Sequence, residues 1–178
     1  MKKVVITCGL IAGAISVALM GIGIGLFDKN HTETSEIIGY TSMLLSASLI
    51  FVGIKIFRDK HNGGIVSFGK AFLIGLYISL IASTIYVAAW ALEYKFIFPD
   101  FLDNYSAIMI AKAKASGAGP EKIAAQLKQL AMYRDMYKNP IFFTLLTYAE
   151  YLPVGLIISL IAALILKKSS KINTTVAN

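Results

Sequence analysis

The sequence predicts an all-α membrane protein, a single membrane domain of four transmembrane helices with an extracytoplasmic two-helix hairpin between the third and the fourth. Three observations carry this. Of the 178 residues, 57% are hydrophobic and only 15% charged, against about 45–50% and about 25% in a soluble domain. The apolar residues are gathered into blocks over residues 4–27, 37–57, 68–93 and 141–166, each near the roughly 20 residues that cross a bilayer core. Most of the lysines and arginines flank these blocks, as they do in membrane proteins whose basic loops stay in the cytoplasm. The others, Lys112, Lys114, Lys122, Lys128 and Arg134 among them, lie in the long loop between the third and fourth blocks, of a kind that crosses largely regardless of charge. The net charge of +7 is thereby accounted for, and nucleic acid is not an expected partner. The lipid bilayer is.

The first block follows Met1-Lys2-Lys3. It is longer than the about 7–15 residues of a signal-peptide core and has no small-x-small cleavage site after it, so it reads as a retained helix. Gly9, Gly13, Gly21 and Gly25 fall on one stripe of it. Small residues at that spacing let a second helix approach closely where lipid supplies no hydrophobic drive. Cys8, the single cysteine, lies in the same block and has no intrachain disulfide partner.

A short polar loop with Asp28, Lys29, Glu33 and Glu36 leads to the second block. The turn that follows is Asn62-Gly63-Gly64, where glycine adopts backbone angles other residues resist. Ser67 is the expected N-cap of the third span, which carries Gly75, Ser79 and Ser83 on one face and Trp90 and Tyr94 at its far end. Aromatic residues favour that membrane–water boundary.

Residues 95–139 form the sizeable non-membrane piece. Pro99 and Pro120 each suit a first helical turn, and Gly117-Ala118-Gly119 separates two stretches of helical apolar period, which predicts the hairpin. Asn139-Pro140 starts the fourth span, and Lys167, Lys168 and Lys171 end it before a polar tail.

Orientation follows from the flanks. Lys2, Lys3, Lys55, Arg58, Lys60, Lys70, Lys167, Lys168 and Lys171 share one side with only Asp59 opposing, while the first loop has Lys29 alone. Both termini are expected in the cytoplasm of a cell whose inner membrane holds the chain.

Asn62-Gly-Gly-Ile-Val-Ser-Phe-Gly-Lys-Ala-Phe72, Ser116-Gly-Ala-Gly-Pro-Glu121, Lys138-Asn-Pro140 and Glu150-Tyr-Leu-Pro-Val-Gly155 together resemble the domain of unknown function 4199 family, membrane proteins of Bacteroidota. The resemblance covers nearly the whole chain. It implies a bacterial four-span inner-membrane protein and supplies no activity.

The candidate chemistry is sparse. Glu93 ends the third span and Glu150 lies about two turns into the fourth. A carboxylate at membrane depth is costly and is by default a functional hypothesis, set against the plainer reading of an interfacial glutamate that fixes helix register. Pro153 lacks an N–H, frees the Ala149 carbonyl beside Glu150 and favours a kink. Tyr40 and Ser42 on the second span are the expected partners of this polar cluster. Gly155 and Ser159 continue a small-residue stripe along the fourth span. His31 and His61 fall on opposite sides and cannot share a metal. No metal or cofactor site, no catalytic residue and no enzymatic motif is expected.

Two functions remain. The first is a small structural or interaction module, its glycine stripes serving internal packing or assembly with a second copy or another membrane protein. The alternative is a transporter or ligand-binding protein using a polar site around Glu150 and Pro153. The absence of a paired broken helix tells against transport, and the module ranks first on sequence.

Overall fold

The computed structural model describes residues 1–25 and 32–168. Among these the chain is all-helical: α1 (Lys2–Gly25), α2 (Thr32–His61), α3 (Phe68–Phe96), α4 (Phe101–Ala115), α5 (Pro120–Lys138) and α6 (Pro140–Leu166). Four of them, α1, α2, α3 and α6, are long and apolar enough to cross a membrane. The expected features at Phe27, Asp28, Lys29, His31, Lys171 and the polar tail lie outside the described residues, as do the surroundings of Gly25, Glu33 and Glu36.

The four long helices pack in the ring order α1–α2–α6–α3, with α2 also touching α3. The polarity of this bundle is the reverse of a soluble one. Leu10, Leu44, Leu45, Leu80, Leu160 and Ile165 are exposed on its outside, while Ser16, Ser46, Ser79, Ser83, Thr147 and Ser159 are buried within it. Small polar residues let backbones come close, and their hydroxyls return hydrogen bonds to the preceding turn: Ser83 to Ser79 O at 2.7 Å, Thr147 to Phe143 O at 2.9 Å, Ser159 to Gly155 O at 2.6 Å.

The α3–α6 crossing is built from the two small-residue stripes facing each other. A Cβ placed on Gly75 would stand 2.8 Å from the Ser159 Cβ, and one on Gly155 would stand 2.8 Å from the Ser79 Cβ. α1 uses its glycines against α3: a Cβ on Gly9 would meet Ile81, and one on Gly13 would meet Ile85, each at 2.8 Å from the isoleucine Cβ. Gly21 is looser, with only the Glu93 Oε1 at 3.8 Å.

One end of the bundle is stitched shut. Val4, Val5, Cys8, Ile54, Phe57, Val66 and Ala71 share a core with Ala162 and Ala163. The Val66 amide donates to the Lys168 carbonyl and the Lys168 amide to the Val66 carbonyl, each at 2.9 Å. Arg58 donates to the last carbonyl of α6, Leu166 O, at 3.3 Å, satisfying a group that every helix C-terminus leaves open. Gly63 and Gly64 in the adjoining turn have φ of 62° and 78°, angles that glycine adopts without a Cβ clash.

Several boundaries differ from the sequence expectation. α2 runs on from residue 57 to His61, because Arg58, Lys60 and His61 sit in its last turn, where cations complement the helix dipole. α3 runs to Phe96. Pro99 precedes the cap of α4, Asp100, and is not in its first turn, whereas Pro120 opens α5. Ser67 caps α3, accepting from Lys70 N at 3.4 Å, and Asn139 caps α6, accepting from Ile141 N at 2.9 Å. α6 continues as helix through Pro153.

Candidate functional site

At the end opposite the stitched one, the bundle opens into a cavity of about 500 Å³ roofed by the α4–α5 hairpin. The void exists because α4 and α5 reach the bundle mainly through rings. Trp90 and Phe101 meet edge to face at 5.0 Å, Tyr94 and Tyr137 at 5.4 Å, and Tyr137 and Phe143 at 5.0 Å. These contacts fasten the hairpin along the α3–α6 side. The α2 side, where Gly39 presents no side chain and none of the described residues lies within 4 Å of where its Cβ would be, is left unfilled.

Each helix contributes to the wall. Met20 and Ile24 come from α1, Ser42 and Met43 from α2, Tyr86 and Trp90 from α3. The hairpin adds Tyr105 and Ser106 from α4 with Gln129, Tyr133 and Tyr137 from α5, and α6 supplies Leu146 and Glu150. Among these described lining residues Glu150 alone carries a formal charge. Glu150 is exposed and lines the cavity, and no hydrogen bond or ion pair reaches its carboxylate from the described residues. Burial, and next the nearby Glu150 charge, push the Tyr137 phenol up to about 12.

Of the residues the sequence singled out, Glu150 and Ser42 share this cavity. Ser42 is buried and donates its hydroxyl to Gly39 O at 2.7 Å. Tyr40 does not join them: it is 69% exposed, on the outer face of α2. Pro153 also faces outward, three residues beyond Glu150 and off the cavity wall. Glu93 is not in the cavity wall; it lies beside Gly21, and its buried Oε2 has no hydrogen-bond partner among the described residues. Gly9, Gly13, Gly75, Ser79, Gly155 and Ser159 occupy helix crossings, and Ser83 is buried in α3.

Sequence reasoning missed Tyr151. This side chain is 5% exposed and its ring packs at a tilt of 31° against Tyr86, centroids 4.9 Å apart. Its hydroxyl meets Ser16 at 2.7 Å and also Ser46, so one phenol ties α6 to α1 and α2 just below the cavity floor. The only local signal was a tyrosine on the same stripe as Gly155 and Ser159.

A protein-family model, described as "Protein of unknown function (DUF4199)", matches residues 7–168. No curated protein and no solved structure matches the chain.

Proposed function

The chain belongs to the DUF4199 family of proteins of unknown function, and from its own geometry we propose that it is a multi-pass inner-membrane protein that binds a small ligand in the hairpin-covered cavity. The observation that carries this is the conjunction of a preformed void of about 500 Å³ with one carboxylate in its wall that has no partner among the described residues. Ligand sites are mostly apolar concavities of about 300–1,000 Å³ with a few placed polar groups. A purely structural glutamate would instead be hydrogen-bonded to a neighbouring helix, since a charge kept at membrane depth without a partner is costly.

The basic flanks support an orientation with both termini in the cytoplasm and the hairpin on the far side. We read the protein as a binding protein and not an enzyme, because no hydrogen bond joins a nucleophile to a general base among the described residues of the cavity wall. A second reading, a structural or interaction module that packs against a second copy or another membrane protein, draws on the close glycine–serine crossings. Those crossings join helices of the same chain, so they serve the bundle first.

Native mass spectrometry of protein released from mild detergent tests the binding proposal. Wild type should carry a co-purifying small molecule or lipid that Gly39→Phe, which fills the void, does not. Equal occupancy of the two proteins would refute it. For the orientation, an impermeant thiol reagent should label Ala118→Cys, in a background with Cys8 replaced by serine, from outside the cytoplasm only. Labelling from the cytoplasmic face alone would reverse the topology.

A further inference from the structure

We propose that the ligand is an organic cation, an ammonium group carrying an apolar body. The inference rests on the reading of the cavity as a binding site and names the chemistry that site selects. Three features point the same way.

The first is charge. Glu150 stands alone among the described lining residues, with no lysine, arginine or histidine in the wall to answer it. In a low-dielectric void a carboxylate attracts a cation far more strongly than in water, and the same charge repels anionic ligands.

The second is the nature of the walls. Tyr86, Trp90, Tyr133 and Tyr137 surround the space. Aromatic rings attract cations through their negative faces, and alkylated ammonium groups are the ligands that such ring enclosures recognise. The third is size. A cavity of about 500 Å³ has room for substituents on nitrogen that a metal ion or bare ammonium would leave unfilled.

Two sources supply this chemistry, the amino headgroup of a membrane lipid and a free organic ammonium. Both present a cation joined to apolar carbon.

The chain provides its own reporter, because Trp90 is its single tryptophan and lines the cavity. The test is a titration of Trp90 fluorescence in neutral detergent with three probes of like shape: benzyltrimethylammonium, its neutral isostere neopentylbenzene, and anionic phenylmethanesulfonate. The cation should bind saturably and more tightly than the isostere by about tenfold or more, given a desolvated charge pair assisted by rings. The anion should give no saturable response. Glu150→Gln should abolish the preference for the cation while leaving the melting temperature close to wild type. Should that variant fold poorly, Tyr133→Leu on the hairpin surface should reduce the same preference.

Repeating the cation titration in phosphatidylglycerol vesicles, with and without phosphatidylethanolamine and with Glu150→Gln as the reference for surface adsorption, separates the sources. Weaker binding in the presence of phosphatidylethanolamine identifies the lipid amine as an occupant, and unchanged binding identifies a free ammonium. If the isostere binds as tightly as the cation, the cation inference falls and ligand binding stands. If no probe alters Trp90, both fall.

Discussion

Replacing Gly155 with alanine tests whether the α3–α6 crossing is as close as it stands. The new Cβ would lie 2.7 Å from the Ser79 Oγ and 2.8 Å from the Ser79 Cβ, where carbon atoms ordinarily rest about 3.5–4.0 Å apart. Rotating Ser79 removes its oxygen from the clash but leaves its Cβ in place, so α3 and α6 must part by nearly 1 Å. Such overpacking costs about 1–3 kcal/mol. Alanine also favours the helix over glycine by up to about 1 kcal/mol. Gly39→Ala isolates that second effect, because Gly39 lies inside α2 and none of the described residues comes within 4 Å of its Cβ. The gap between the two variants should therefore be about 1–3 kcal/mol, or several degrees of melting temperature in detergent for a chain of this size. The decisive comparison is Gly155→Ala in a Ser79→Gly background, where the opposing Cβ is gone and most of the cost should vanish. An undiminished cost there would show that the crossing is not where the strain lies.

Three further outcomes are expected. Gly13→Leu, whose Cβ meets Ile85 at 2.8 Å, should destabilise the bundle far more than Ile11→Leu on the exposed face of the same helix; equal thermal shifts would place the α1 stripe against lipid. Tyr151→Phe removes the hydroxyl shared by Ser16 and Ser46 and should cost about 1–3 kcal/mol, at the roughly 1 kcal/mol typical of such bonds in membranes, so an unchanged melting temperature would count against its bridging role. The Tyr137 phenol, held at about 12 against an ordinary 10.0, ionises in the unfolded chain before it does in the folded one. Stability should accordingly fall as pH rises from 10 toward 12, less steeply in Tyr137→Phe, and Glu150→Gln should lower the phenol pKa in a spectrophotometric titration. No change on that substitution would mean the carboxylate is not beside it.

What could be read from sequence was local. Span lengths, the caps at Ser67 and Asn139 and the hairpin punctuation at Gly117-Ala118-Gly119-Pro120 are written in neighbouring residues, and so is the spacing of Gly75 and Ser79 or of Gly155 and Ser159. That these two pairs face one another belongs to the assembled bundle. The Ser16–Tyr151 contact joins residues 135 apart in the chain, and no periodicity announces it. Tyr40 and Glu150 lie toward the same end of their helices, which is all that sequence shows of them; rotation about the α2 axis, which depends on where α1 and α6 pack, turns Tyr40 outward and Ser42 inward. A void has no residues of its own, so the cavity is visible only once all six helices are in place around it.

The roof of that cavity is thinly anchored. α5 has no buried residue, and α4 has only Ile108, so few apolar contacts oppose local opening. Segments of that kind exchange their amide protons through sub-global unfolding well below the free energy of the whole molecule. Admission of a ligand then needs no rearrangement of the four long helices, only a brief melting of the cover. By mass action, whatever occupies the space and touches Tyr133 and Tyr137 lends its binding energy to the order of the hairpin. Amide exchange across residues 101–138 should consequently slow on occupancy while exchange in α1 hardly changes.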